Sequence, residues 1–228
     1  MHVPDGVVPL WLQLLLLAVS SFTLVLSAKI IRRKYSERLV PYIGVMAAVI
    51  FAAQLVNFPV PPASSGHLVG STLLAVMLGP WAGILIMALV LFVQALYGDG
   101  GLLAYGLNLF NMGVFSCLFG WVLARGLFKM LGNFVNKERA VLFATAIASF
   151  VTTIVSAFLL GIELLTVQGF GITPLIVITS VHVIIAVGEA ILTFVILLYF
   201  VRSRPELVSF LDSSKLHEMS NIPGMEDV

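Results

Sequence analysis

Between residues 174 and 201 the chain runs for 28 positions with one formal charge, Glu189. As a helix rising 1.5 Å per residue it is about 42 Å long, more than the roughly 30 Å of a bilayer's hydrocarbon core. Four more apolar stretches, 9–31, 39–57, 105–124 and 140–160, are long enough to span, and a longer one, 67–97, is interrupted by Gly79-Pro80. Soluble domains carry roughly a quarter charged residues; here 10% are charged and 60% hydrophobic, which leaves too little polar surface for water. The chain is a polytopic membrane protein.

The basic residues decide how 67–97 is threaded. They are Lys29, Arg32, Arg33, Lys34, Arg38, Arg125, Lys129, Lys137, Arg139, Arg202, Arg204 and Lys215, in three clusters at alternating connections. If 67–97 crosses twice, turning at Gly79-Pro80, all of them lie on one side, as the positive-inside rule expects of the cytoplasm. A single crossing would strand the cluster from Arg125 to Arg139 outside. The expected fold is therefore an all-α bundle of about seven transmembrane helices, amino terminus outside and carboxyl terminus cytoplasmic. Residues 1–201 form one membrane domain that includes the amino-terminal segment, and 202–228 a polar cytoplasmic tail. Asp5, Asp99 and Glu163 then fall in outer loops. The stretch 67–78 is short for a crossing, so it is tilted, re-entrant or extended backwards.

Several function classes drop out. The start, MHVPDG, has no Lys or Arg before the first apolar run, unlike a secretory signal, so it is expected to be kept. The lone Cys117 supports no intrachain disulfide or thiolate cluster. A net charge of +1 gives no reason to expect nucleic acid. No GxxxxGK[ST] phosphate loop is present, so energy for any transport comes from partners or an ion gradient. No internal repeat suggests an inverted-repeat carrier.

The expected topology puts His2 and His67 on the same, outer side. The free amine of Met1, the deprotonated backbone nitrogen of His2 and its ring Nδ1 close a five- and a six-membered chelate ring, giving three nitrogens in one plane. An imidazole from His67 completes a square-planar set, which favours Ni(II) or Cu(II) over tetrahedral zinc and also holds low-spin cobalt. The competing reading is a histidine in a frayed terminus and a helix-capping His67. Turn residues Val3-Pro4-Asp5-Gly6 can fold the terminus back, and Pro59, Pro61, Pro62 and Gly66 stiffen and turn the loop before His67.

Other polar residues within the spans have two readings each. Gln54, Asn57, Gln94, Asn108 and Asn111 either orient the ligands or hold helices together. His182 and Glu189, two turns apart on the last span, are a ligand-supporting pair, a proton relay, a transient metal station or a structural link. Gly44, Ala48 and Ala52 recur every four residues, a stripe that lets another helix approach. His217, in the tail, is read as unrelated.

The start MHVPDG, the stretches GVMAAVIFAAQLVNFPVPPASSGHLVGSTLLAVMLGPWAG and LVQALYGDGGLLAYGLNLFNMG, and HVIIAVGEAILT in the last span together resemble the CbiM/NikM family. Its members are the integral-membrane, substrate-binding components of energy-coupling-factor (ECF) importers for cobalt and nickel. The likeness runs to about Phe200. It implies a non-enzymatic protein with a seven-span fold in a prokaryotic plasma membrane. It further implies an inserted amino terminus, ligands at Met1, His2 and the family's second histidine, matched by His67, and Ni2+ or Co2+ as transported substrate, with no cofactor. The implied partners are a transmembrane coupling subunit, for which Gly44, Ala48 and Ala52 would be a contact, and two cytoplasmic ATPase subunits; need for a small accessory membrane subunit stays open. Two rival readings stand beside it. One is a proton-coupled secondary metal transporter using His182 and Glu189. The other is an intramembrane hydrolase, which lacks H-E-x-x-H and an open in-plane position for water.

Overall fold

A computed structural model describes residues 1–34 and 40–211; Arg38, Lys215, His217 and most of the polar tail lie outside the described residues. Seven helices follow: α1 Leu10–Lys34, α2 Val40–Gln54, α3 Ser71–Leu78, α4 Pro80–Leu96, α5 Tyr105–Leu131, α6 Lys137–Leu164 and α7 Thr173–Ser203. Four of them, α1, α5, α6 and α7, are long and apolar enough to cross a membrane, while α2 and α4 are shorter apolar helices. The chain is an all-α membrane bundle with one small departure, a two-stranded antiparallel ribbon of β1, Phe58–Val60, and β2, Ser64–Gly66. Lipid-facing surface is supplied by residues such as Phe22 on α1 and Ile184, Ile191 and Tyr199 on α7, all exposed.

The break at Gly79-Pro80 is a turn between two helices. Gly79 has φ 84°, left-handed backbone that glycine adopts without strain, and Pro80 begins α4, where its missing N–H is no loss. Helix α3 has only eight residues, about 12 Å by the helical rise, too short to span, and every one of them is buried. A half-helix at membrane depth is tolerated where protein surrounds it, and α3 is packed by α4, α5 and α6. Residues 67–70, ahead of Ser71, are non-helical.

The two ends of the hairpin meet other landmarks. At one end, His67 lies beside His2, and Asp99, just past α4, is 3.2 Å from the His2 ring. At the other, Ser209, beyond α7, donates from its N–H and Oγ to the carbonyls of Met77 and Val76, at 3.2 and 2.6 Å. Phe210 packs on Trp121 and Phe128 of α5, and the Tyr42 hydroxyl of α2 donates to Leu207 O. The hairpin therefore starts and finishes at the end of the bundle holding Met1, and turns at the end holding Arg125, Lys129 and Arg202.

Two polar devices lock the bundle. Ser20 on α1 donates to Gly106 O on α5 at 2.8 Å, and a Cβ added at Gly106 would lie 2.3 Å from Leu17 Cα, so α1 closes on α5 only because that residue is glycine. Helix α5 contains one π turn, Phe110–Phe115. It leaves carbonyls needing donors: Asn111 O accepts from Ser116 Oγ at 2.6 Å, and Met112 O accepts from Ser71 Oγ of α3. Asn111 Nδ2 donates to Glu163 Oε2 at 2.7 Å. Glu163 is consequently not an outer-loop residue; it is buried in the last turn of α6, because Asn111 gives its carboxylate a partner.

Candidate metal centre

The amino terminus is inside the protein: Met1, His2 and Val3 are 0%, 3% and 0% exposed. A strand-like segment with buried main chain must find partners for it, and it finds them on two sides. His2 O accepts from Ser65 N of β2, and Val3 is gripped by Asn108, whose Oδ1 accepts from Val3 N at 2.9 Å while its Nδ2 donates to Val3 O at 3.0 Å. Asp5 then turns the chain out: its carboxylate accepts from the N–H groups of Leu102, Leu103 and Ala104, ahead of α5.

This docking brings the Met1 amine to 2.7 Å from His67 Nε2. Nδ1 of His67 lies 2.7 Å from the carbonyl of Leu68. A carbonyl only accepts, so Nδ1 carries the proton and Nε2 presents a lone pair, the arrangement that orients metal-ligating histidines. Burial pushes the Met1 amine down to about 4, against the opposing charge of Asp99. Burial, and then the neighbouring amine, hold the His67 imidazole well below its ordinary range. Both groups are neutral at pH 7. For comparison, two nitrogens about 2 Å from one ion and about 90° apart stand about 2.8 Å from each other.

The two His2 nitrogens needed for a six-membered chelate share an outlook. Its backbone N lies 3.0 Å and its Nδ1 3.4 Å from the Ser65 hydroxyl. The His2 ring stacks on His67, centroids 4.6 Å apart. Burial lowers the His2 imidazole, opposed by its hydrogen bond to Asp99. Buried Nε2 of His2 and Oε1 of Gln94 have no hydrogen-bond partner, and Gln94 faces the His2 ring. Among the described residues no group of three or more His, Cys, Asp or Glu side chains is placed to hold a metal.

The remaining polar residues separate by partner. Gln54 donates to Val69 O at 2.7 Å and accepts from Gln94 at 2.9 Å, tying α2 and α4 to the His67 segment. Asn57, exposed, donates to Asp99 Oδ2 at 2.6 Å. Asn108 touches the inserted terminus, whereas Asn111, three residues on, reaches Glu163 instead. Glu189 accepts from Val69 N at 2.7 Å and Gly70 N at 2.6 Å, so it fixes the backbone two and three residues beyond His67. His182 does not pair with Glu189; its Nδ1 lies 2.8 Å from Ile178 O, and its buried Nε2 has no partner. Gly44, Ala48 and Ala52 lie exposed on the outer side of α2, and a Cβ added at Gly44 would meet nothing within 4 Å.

Two contacts were not legible beforehand, those of Ser65 and Asp99 with His2. The available signal was position alone: Ser65 precedes Gly66-His67, and Asp99 sits in the outer run Gly98-Asp99-Gly100-Gly101.

Comparison with known proteins covers nearly the whole chain. Residues 2–207 match the CbiM family, described as the cobalt uptake substrate-specific transmembrane region. A Haloquadratum walsbyi protein described as a metal transport protein is 33% identical over 91% of this chain and 93% of its own length. The fused nickel transport protein NikMN of Rhodobacter capsulatus is 31% identical over 77% of this chain and 48% of its own. A crystal structure of a transition metal transporter superposes with a TM-score of 0.80 at 29% identity, covering 97% of this chain and 98% of that one. These relatives are transport proteins, for which metal is the cargo. With its buried terminus, its helical membrane bundle and this match, the chain belongs to the CbiM family, as a membrane component of cobalt and nickel transport.

Proposed function

We propose that this protein captures Ni2+ or Co2+ from outside the cell in a four-nitrogen plane, made by the Met1 amine, the deprotonated backbone nitrogen and Nδ1 of His2, and Nε2 of His67. The observation that carries the reading is the fully buried Met1 amine, neutral and 2.7 Å from the lone pair of His67 Nε2. Burying an amine costs stability unless something uses it, and an uncharged amine beside an uncharged imidazole is a ligand pair that needs no proton removed. Asn108, Gln54, Gln94 and Glu189 hold the terminus and the His67 segment in place; Asn57 steadies Asp99; Asn111 serves the α5–α6 seam. His182 supports the His67 side of the site from α7.

The bundle crosses the membrane seven times, α3 and α4 together forming a hairpin, with Met1 outside and the end of α7 in the cytoplasm of a prokaryotic cell. Residues 1–201 are the metal-binding domain and the remainder a cytoplasmic tail. Delivery inward uses a transmembrane coupling subunit and two cytoplasmic ATPase subunits of an ECF complex, since this chain has no phosphate loop of its own. The exposed Gly44, Ala48 and Ala52 stripe on α2 is the face a partner helix can approach closely.

The test is equilibrium metal binding by the purified full chain with its native start, beside a chain extended by one alanine before Met1 and a His67→Ala variant. About one Ni2+ or Co2+ per native chain, lost in both variants, is expected. Native-like binding by the extended chain would refute the chelate.

A further inference from the structure

Resting on that reading of the site, we infer that Asp99 is the entry ligand for the metal: it takes the incoming divalent cation first and passes it to His2. Among the described residues, Asp99 is the one near the centre that combines a carboxylate, access and contact with a proposed ligand atom. It is 33% exposed. It borders an open depression of about 630 Å³ that is also lined by His2, Asn57, Pro59 and Ser65. Its Oδ1 lies 3.2 Å from Nδ1 of His2, the ring atom the chelate requires, and its Oδ2 accepts from Asn57 at 2.6 Å. The side chain is therefore aimed, not free to sample the loop. Asp5 and Glu163, the other acids at this end, cannot share the role: Asp5 is consumed by three backbone N–H groups, and Glu163 is buried and accepts from Asn111. No Lys or Arg occurs in residues 1–28 or 39–124, which contain all the residues lining the depression, so the carboxylate field is not cancelled locally.

The chemistry is a ligand exchange. A carboxylate only accepts, so in the contact with Asp99 the proton of neutral His2 is on Nδ1, which blocks that nitrogen. A hydrated cation binding Oδ1 replaces this hydrogen bond. The ring then carries its proton on Nε2, opposite the unpartnered Oε1 of Gln94, and Nδ1 offers its lone pair to the ion. One proton leaves Nδ1 to water and one returns at Nε2, so the imidazole stays neutral. The Oδ1–metal bond breaks as the Nδ1–metal bond forms, and no electron moves. Asp99 belongs to the path and not to the final plane.

The test separates capture from holding. Full-length protein with its native start is mixed with NiCl2 by stopped flow, and dissociation is followed separately with excess chelator. In Asp99→Asn, which keeps shape and loses charge, the association rate is expected to fall about tenfold or more, within the range of electrostatic steering. The dissociation rate should stay within about twofold, and the absorption band of bound nickel should be unchanged. Asp99→Glu should recover most of the rate. Native association should also slow as ionic strength rises from about 20 to about 300 mM. Association by Asp99→Asn at the native rate, a shifted nickel band, or salt-independent capture by the native protein would each overturn the inference. The salt series needs no variant, so it stands if Asp99→Asn fails to fold. Failure of the chelate itself would appear differently, as native-like binding by the alanine-extended chain.

Discussion

Replacing Asn108 by leucine tests whether the inserted terminus is held by one side chain. Asn108 makes both hydrogen bonds of the fully buried Val3 main chain that reach a side chain. Leucine fills similar space and leaves the Val3 N–H unpaired, while Val3 O keeps only a 3.3 Å contact with Gly101 N. The unpaired Val3 N–H costs about 1–3 kcal/mol and the lost bond to Val3 O about 0.5–1.5 kcal/mol, so the docked terminus loses about 2–4 kcal/mol. Metal binding requires the docked state, so apparent affinity falls by the fraction that undocks. At about 1.4 kcal/mol per factor of ten, the dissociation constant should rise by up to roughly 30- to 700-fold. Asn111→Leu is the matched control: it removes the bond to Glu163 and lowers thermal stability, with Kd changing by less than about threefold, because Asn111 does not touch the terminus. Competition titration with a chelator of known affinity measures both. Binding by Asn108→Leu within about threefold of native, in a folded variant, would refute the reasoning.

Acidification should loosen the terminus. The Met1 amine is lowered from 8.0 to about 4 when docked, so below pH 8 the undocked terminus gains a proton that the docked one does not; docking is fully favoured above about pH 8 and is lost progressively as pH falls toward 4. Thermal melting without metal should show this slope, shallower in the alanine-extended chain. Glu189→Gln keeps one acceptor for the Val69 and Gly70 amides and loses the other, so Kd should rise about five- to hundredfold, with the His67 segment more open to hydrogen exchange. Gly106→Ala forces α1 off α5 and should lower stability by about 1–3 kcal/mol or more in a denaturation series. Ala48→Leu should leave metal binding by the isolated chain unchanged and abolish co-purification with the coupling subunit.

The helices were legible because a bilayer leaves the backbone few options: apolar runs of spanning length become helices, and basic clusters mark one end. The turn was marked by Gly79-Pro80 in the sequence, and the basic clusters chose the hairpin over one broken helix. Helix α3 was less legible, since hydropathy cannot tell a short helix buried in protein from a full crossing; only its enclosure by α4, α5 and α6 accounts for eight residues sufficing. The chelate we propose could be drawn from the sequence for an unusual reason. Three of its four nitrogens belong to two adjacent residues, so covalent geometry sets most of the constellation before folding begins.

What the sequence left open were choices among polar partners of the same kind. Asn108 and Asn111 look alike at three-residue spacing, yet one grips Val3 and the other Glu163; Glu189 and His182 share a face and do not meet. Hydrogen bonds are short and directional, and 105 residues separate Val3 from Asn108, so nothing local selects the pairing. The linear chain determined which segments avoid water and which nitrogens lie within one chelate span of each other, because solvation and covalent geometry are local properties. Only tertiary packing decided which side chain reaches which buried main-chain group, because that depends on how helices distant in sequence are brought within 3 Å of each other.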